Sequence, residues 1–399
     1  MMRNVFLTKY KLNGKSVCPF VLENEEKEFQ NPMDRIGAGK NHTFIVNDDG
    51  SLWGCGDNSY GQLGKASIFD HKQPKLKKVK HIPDVRAVCS GLYFSLFIDK
   101  DNQVWGCGDN NFGQLGVNKK NLTIVYPKKM KYAPSVRSVA GYYRHSLLLD
   151  EEGNVWSTGE NEKGQLGLGD NANRLYPEKI EGLPPIKSIS CGSFFSMFVD
   201  FNGNVWQAGE LKMEYNTRIY NQPTLLPGLE SVRDTFSGSY HSIFINDRGQ
   251  LIGCGQLNSR VGQDPEVLDE CLPPMVHASV SHGRSLFIDH QGTLYGNGKD
   301  VFYDFSQSDF DYLYFVVMKY KMEESIAPFT AVSSGFSHTI FVSNDGSVYT
   351  TGSNKYGALG LGSTKVNPSK LNKIPKLSIT GDPVRSAKSA RNVSHSRSK

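Results

Sequence analysis

Four histidines, His42, His145, His241 and His338, each precede Ser or Thr and then three apolar residues, and three cysteines, Cys55, Cys107 and Cys254, each stand between glycines. Imidazole and thiolate are the side chains most used as metal ligands, bases and nucleophiles. Here each recurs once per copy of a longer repeated sequence, so separate copies hold them apart. The expectation is structural: the histidines hydrogen-bond the backbone of a neighbouring loop, and the cysteines form neither disulfides nor a metal site. "GCGDNNFG" at Gly106–Gly113 imitates a dinucleotide-binding glycine pattern, but it follows a strand pair instead of opening a helix. No Ser-His-Asp order or paired-carboxylate constellation stands out. The residues predict no covalent chemistry, no cofactor and no metal.

The elements around these residues explain the repetition. "WGCGDNSYGQLG" from Trp53 returns as "WGCGDNNFGQLG" from Trp105. The strand-turn-strand unit containing it starts at Gly39, Gly91, Gly141, Gly192, Gly238, Ser281 and Gly335, which makes seven copies. "TFIVNDDGSLWG" alternates apolar and polar residues around an Asp-Gly turn, as a hairpin does. A short apolar run precedes most copies and a Pro-containing run comes after, giving about four short strands per unit. Such a sheet cannot bury both faces alone, so copies must stack. Seven close radially into an all-β, seven-bladed β-propeller, which leaves only short edges exposed. Trp53, Trp105, Trp156 and Trp206, with Ile252, Tyr295 and Tyr349, share one strand position and are expected between blades. Gly61, Gly64, Asn58 and Leu63 are expected to shape the loop after that strand.

The pattern H-[ST]-x-x-[VI]…D-G-x-[VL]-W…G-x-N-x-x-G-Q-L-G resembles the regulator of chromosome condensation repeat, over residues 32 to 377. The match is most specific in copies one to three and seven; copies four to six keep the hairpin and lose Gly-Gln-Leu-Gly. Residues 1–31 read as a strand pair able to tie the ring, in competition with "NPSKLNKIP" after the last copy. Residues 378–399 read as a basic, Ser-rich disordered tail.

The resemblance implies three roles: exchange factor for the GTPase Ran, plant ultraviolet-B photoreceptor, or interaction module. The exchange factors carry acidic residues in the loops joining first and second strands, and a wedge-like insertion. Those loops here hold no Asp or Glu, and "STGENEKGQLGLG" has no wedge. The photoreceptor needs Trp on the loop face, whereas all four Trp here occupy the strand position. The expected function is therefore a non-enzymatic protein-binding propeller in small-GTPase-linked signalling or trafficking. The alternative is a guanine nucleotide exchange factor for a Ran-like or other small GTPase. Tyr93, Tyr142, Tyr143, Phe194, Tyr240 and Phe336, all in first-to-second-strand loops, are the expected partner-binding residues.

Bulk properties set the frame. The composition, 38% hydrophobic and 21% charged, fits a globular chain, and a net charge of +5 permits an acidic partner without demanding one. No apolar run reaches membrane-span length. Seven cysteines without Cys-x-x-Cys predict free thiols in a reducing, intracellular compartment. The chain is expected to be a monomer, cytoplasmic in preference to nuclear. Lysine runs at Lys72–Lys80 and Lys119–Lys131 are read as guards of outer strands. An acidic partner, or nucleic acid or chromatin, is the lesser reading of them.

Overall fold

The structure is a computed structural model that describes residues 32–65, 71–117, 123–211, 218–256, 262–268, 270–297, 317–320, 325–365 and 370–379. The strand pair expected in 1–31 and most of the expected tail lie outside those residues. Seven four-stranded antiparallel sheets succeed one another, each in simple chain order, spanning 36–78, 85–129, 136–179, 186–225, 232–267, 275–319 and 329–378. These are blades 1 to 7. The first strand of every blade lines a central channel. Blades 1 and 7 are each one continuous segment, and they meet through Ile36, Ile45, Ala331, Ile340 and Ile374. Ser378 ends the outer strand of blade 7, and Ile379 is buried in that same cluster, two residues beyond the boundary drawn from the sequence.

The second strand of each blade is buried on both faces: Phe94–Asp99, His145–Asp150 and His338–Ser343 are buried at every position. Its apolar residues reach the sheets on either side, and the shared tryptophan position completes those interfaces. Trp105 packs on Phe44, Leu63 and Phe97, while Ile252, Tyr295 and Tyr349 are buried at equivalent sites. The indoles also close the hairpins. Trp105 Nε1 donates to Asp99 at 2.8 Å, and Trp156 and Trp206 donate to Asp150 and Asp200 at 3.2 Å. Burial works against the Asp150 carboxylate, yet bonds from Asn154 and Trp156 hold it below its ordinary pKa.

The histidines differ from expectation in an informative way. They reach the hydroxyl of the next blade's second strand and not loop backbone. His42, His145 and His241 lie 3.0, 3.0 and 3.1 Å from Ser95, Ser196 and Ser285, and His338 lies 2.8 Å from Thr43. The hydroxyl carries the bond onward to a loop carbonyl: Ser95 donates to Gln62, Ser196 to Gln165 and Thr43 to Ala358. A hydroxyl has one proton, so each of these three accepts from imidazole Nε2–H. Burial, with Nδ1 of His42, His145 and His338 facing no hydrogen-bond partner, keeps these rings neutral. Arg284 fills the role in blade 6, donating to Thr339 at 2.8 Å, and Phe94 and Phe195 occupy the position in blades 2 and 4.

Two measurements check this arrangement. His145→Ala removes a donor and leaves a cavity, so it should cost about 2–4 kcal/mol in urea denaturation. His145→Phe, which copies blades 2 and 4, should cost less. Burial first of all lowers the pKa of His42 and His338 to about 3 and of His145 and His241 to about 4. A depressed folded-state pKa gives stability that is complete above the unfolded value near 6.5 and lost as pH falls toward the folded value. Melting temperature should therefore decline steeply from about pH 6.5 down to about pH 4, and less so in His145→Phe.

Candidate functional site

Antiparallel order brings the first-to-second loops of all blades, with the ends of their third strands, to one face, around the mouth of a channel of about 400 Å³. The channel wall is rich in hydroxyls, among them Ser90, Ser138, Ser190, Ser237, Ser281 and Ser334. The loops around it are held rigidly. In blades 1, 2, 3 and 7, Asn58, Asn110, Asn161 and Asn354 accept the N–H of Leu63, Leu115, Leu166 and Leu359 at 2.9–3.1 Å. Each leucine is buried beneath its loop. Gly61 and Gly64, at φ of 73° and 67°, make the tight return possible. Backbone bonds also stitch neighbouring first-to-second loops together: Phe336 N–H to Gly39, Lys40 N–H to Leu92, Leu92 N–H to Tyr142, and Ser193 N–H to Ser239.

Five of the six expected residues stand in this face as half-exposed or exposed rings: Tyr93, Tyr143, Phe194, Tyr240 and Phe336. Tyr93 touches Tyr60, with ring centroids 4.9 Å apart, and Tyr143 meets Phe194 edge-on at 5.6 Å. The sixth, Tyr142, is buried. Its hydroxyl lies 2.9 Å from Ser239 of blade 5, whose own hydroxyl lies 2.7 Å from His282 Nδ1 of blade 6. Tyr142 thus reaches over blade 4 at the channel mouth, and burial pushes its phenol up to about 12.

Sequence reading missed the cations and polar links of this face. Lys40 lies over Tyr93 at 4.7 Å and Phe336 at 5.6 Å, and bonds the Tyr93 hydroxyl. His282 stacks on Phe336 at 4.6 Å and approaches Tyr240 at 6.3 Å, so the ring runs from blade 5 through 6, 7 and 1 to 2. Burial, with Lys40 beside it, lowers the His282 pKa. Arg144 sits 4.4 Å over Phe112 and 4.5 Å over Tyr143, and pairs with buried Glu160 at 3.3 Å. Lys163 pairs with buried Glu210 at 2.7 Å. The signal for Glu160 and Glu210 was their register with Asp57 and Asp109 after each third strand.

Burial raises the thiols of Cys55 and Cys254 to about 12 and of Cys89 to about 11, so they stay protonated. Among the described residues no three His, Cys, Asp or Glu side chains cluster as metal ligands. No helix among them is long and apolar enough to cross a membrane.

Models of the regulator of chromosome condensation (RCC1) repeat match residues 49–98, 101–149, 152–199 and 345–390, and a second model of the repeat matches 34–62, 85–114, 136–165 and 329–358. The chain belongs to this family. Repeats of this kind relate it to the ultraviolet-B receptor UVR8 of Arabidopsis thaliana, 31% identical over 144 residues, 36% of this chain and 32% of the receptor. The RCC2 homolog of Xenopus laevis is 33% identical over 133 residues, 33% of this chain and 26% of that protein. In both, the match covers well under half of the relative. Among solved structures, Prp20p of Saccharomyces cerevisiae superimposes with a TM-score of 0.69 at 19% identity, covering 86% of this chain and 88% of Prp20p. That likeness establishes the RCC1-type propeller fold. Trp105, Trp156 and Trp206 sit against hairpin aspartates at the end of the blades opposite the loop face.

Tyr142→Phe keeps the ring and deletes the hydroxyl that joins blade 3 to Ser239. It should lower stability by about 1 kcal/mol in chemical denaturation. A loss no larger than the experimental error would show that Ser239 and His282 hold the mouth without it.

Proposed function

We propose that this chain is a non-enzymatic protein-binding propeller of the small-GTPase-linked kind, docking its partner on the loop face. The observation that carries the reading is the run of rings Tyr240, His282, Phe336 and Tyr93, tied by Lys40 and extended by Tyr143 and Phe194. Aromatic and Arg side chains dominate binding energy at protein interfaces, and rings already fixed by stacking and loop bonds lose little freedom on docking. Buried, protonated thiols fit a reducing intracellular setting.

A second reading, guanine nucleotide exchange, has its own support: the solved Prp20p structure is described together with that protein's binding to Gsp1p and histones. Against it, the first-to-second loops here carry no carboxylate. Asp57, Asp109, Glu160 and Glu210 stand at the start of third-to-outer loops, but they are spent on Ser59, Gln114, Arg144 and Lys163.

Affinity capture from cell extract, with binding measurements on the captured protein, tests both. Tyr93→Ala and Phe336→Ala should each weaken capture of that protein about tenfold or more. The wild-type chain should leave fluorescent-nucleotide release from Ran-like GTPases unchanged. Fast release that disappears in the two variants would replace the scaffold with the exchange factor.

A further inference from the structure

Blades 1 and 2 carry a feature on their outer rim that neither the fold nor the loop face uses. Their outer strands end in "KKVKH", Lys77–His81, and "KKMKY", Lys128–Tyr132. The two segments share one register, since Lys78 pairs with Trp53 as Lys129 pairs with Trp105. In both, the middle residue, Val79 or Met130, is buried, and the three lysines and the aromatic are exposed. No salt bridge among the described residues takes any of the six lysines; Lys78 acts on Asp49 only through its field.

His81 and Tyr132 adopt φ of 62° and 57°, the left-handed region that few non-glycine residues enter and that a residue as bulky as Tyr132 avoids. Blades 3 and 4 place Gly182 and Gly228 at the same register, with φ of 81° and 79°, and a side chain there would meet open space. Packing therefore gives no reason for a ring in blades 1 and 2. Each ring is instead steadied from one side by a tyrosine of the next blade: His81 by Tyr126, centroids 5.2 Å apart, and Tyr132 by Tyr176, 5.0 Å apart, both edge-to-face. Tyr132 is 74% exposed and Tyr126 42%. The feature then stops, because blade 3 reads Glu178, Lys179, Ile180, Glu181, Gly182.

We infer that these twin stations bind single-stranded nucleic acid, with the lysines on phosphates and the exposed rings stacked on unpaired bases. Lysine charge alone suits any polyanion, but exposed rings that directly follow the lysines suit a strand whose bases are free. An acidic peptide added as a fifth strand fits poorly, because Pro74 and Pro127 interrupt both edges. A duplex offers phosphates but hides its bases. The site lies on the rim, apart from the loop face, so the two bindings are independent.

Fluorescence anisotropy of the full chain with labelled oligouridylate and oligothymidylate tests this. A duplex of equal length is a third probe, and polyglutamate a competitor. Both single strands should bind more tightly than the duplex. Lys128→Gln, Lys129→Gln and Lys131→Gln together should reduce the slope of log affinity on log salt by about 2, at roughly 0.7 per phosphate for single strands. Tyr132→Gly should weaken binding about tenfold while leaving melting temperature equal or higher, since glycine prefers this backbone. Tyr93→Ala, on the loop face, should leave the affinity for both oligonucleotides unchanged. Equal binding of the duplex, displacement by polyglutamate at matched charge, or full affinity in Tyr132→Gly would each overturn the inference.

Discussion

The second strand of each blade has no solvent on either face, and the ring depends on how it meets that constraint. Apolar residues answer most of it. The strand nonetheless carries a hydroxyl at one position, Thr43, Ser95, Ser146, Ser196, Ser242, Ser285 or Thr339, buried in every blade. An unpaired hydroxyl there would cost about a kcal/mol or more. Four of them, in blades 1 to 4, donate to a loop carbonyl of the preceding blade, and four take a histidine from it. The bond can form only when adjacent sheets stand at one offset and angle. Satisfying a buried polar group thereby fixes the pitch of the ring, which non-directional apolar contact leaves loose. Arg86, Arg137 and Arg233 repeat the logic at the channel side, donating to carbonyls of the next blade's first strand at 2.8–3.1 Å.

The loop face inherits this rigidity. The first-to-second loops end where the second strands begin, so a strand locked by its neighbour presents its loop at a set height. Backbone bonds from loop to loop then join blades 7, 1, 2 and 3 at the mouth. Rings mounted on such a frame arrive at an interface already placed.

Locality decides which features residues alone reveal. Hairpins, the repeat count and the inter-blade tryptophans depend on period-two patterning within a few residues, and these are visible in "TFIVNDDGSLWG". The Asn58 and Leu63 roles were equally local. Contacts between blades were not. Nothing near Tyr142 distinguishes it from Tyr143, yet one ring enters the channel and the other faces out, because the partner Ser239 lies two blades on. His282 stands two residues before the blade-histidine position, which Arg284 fills, and it serves the face through Phe336, a partner one blade away. The histidine partner was misread for the same reason: the hydroxyl it meets lies in the next copy, at a position that composition marks only as small and polar.

The rim shows where a repeat departs from its own rule. Lysines on an outer strand with an internal proline already prevent two rings from pairing edge to edge. That function explains Lys77 and Lys128 and is complete without His81 and Tyr132. Edge protection is also indifferent to the residue that ends the strand, and Gly182 and Gly228 meet the turn with no strain. Holding an aromatic in the left-handed region costs on the order of 1 kcal/mol or more, and it happens twice, in adjacent blades, behind the same lysine spacing. Chance drift away from glycine would not also supply Tyr126 and Tyr176 as supports in the next blades. The strained position, its lysines and its supporting ring occur together in blades 1 and 2 and are lacking together in blades 3 and 4, as parts of one surface are.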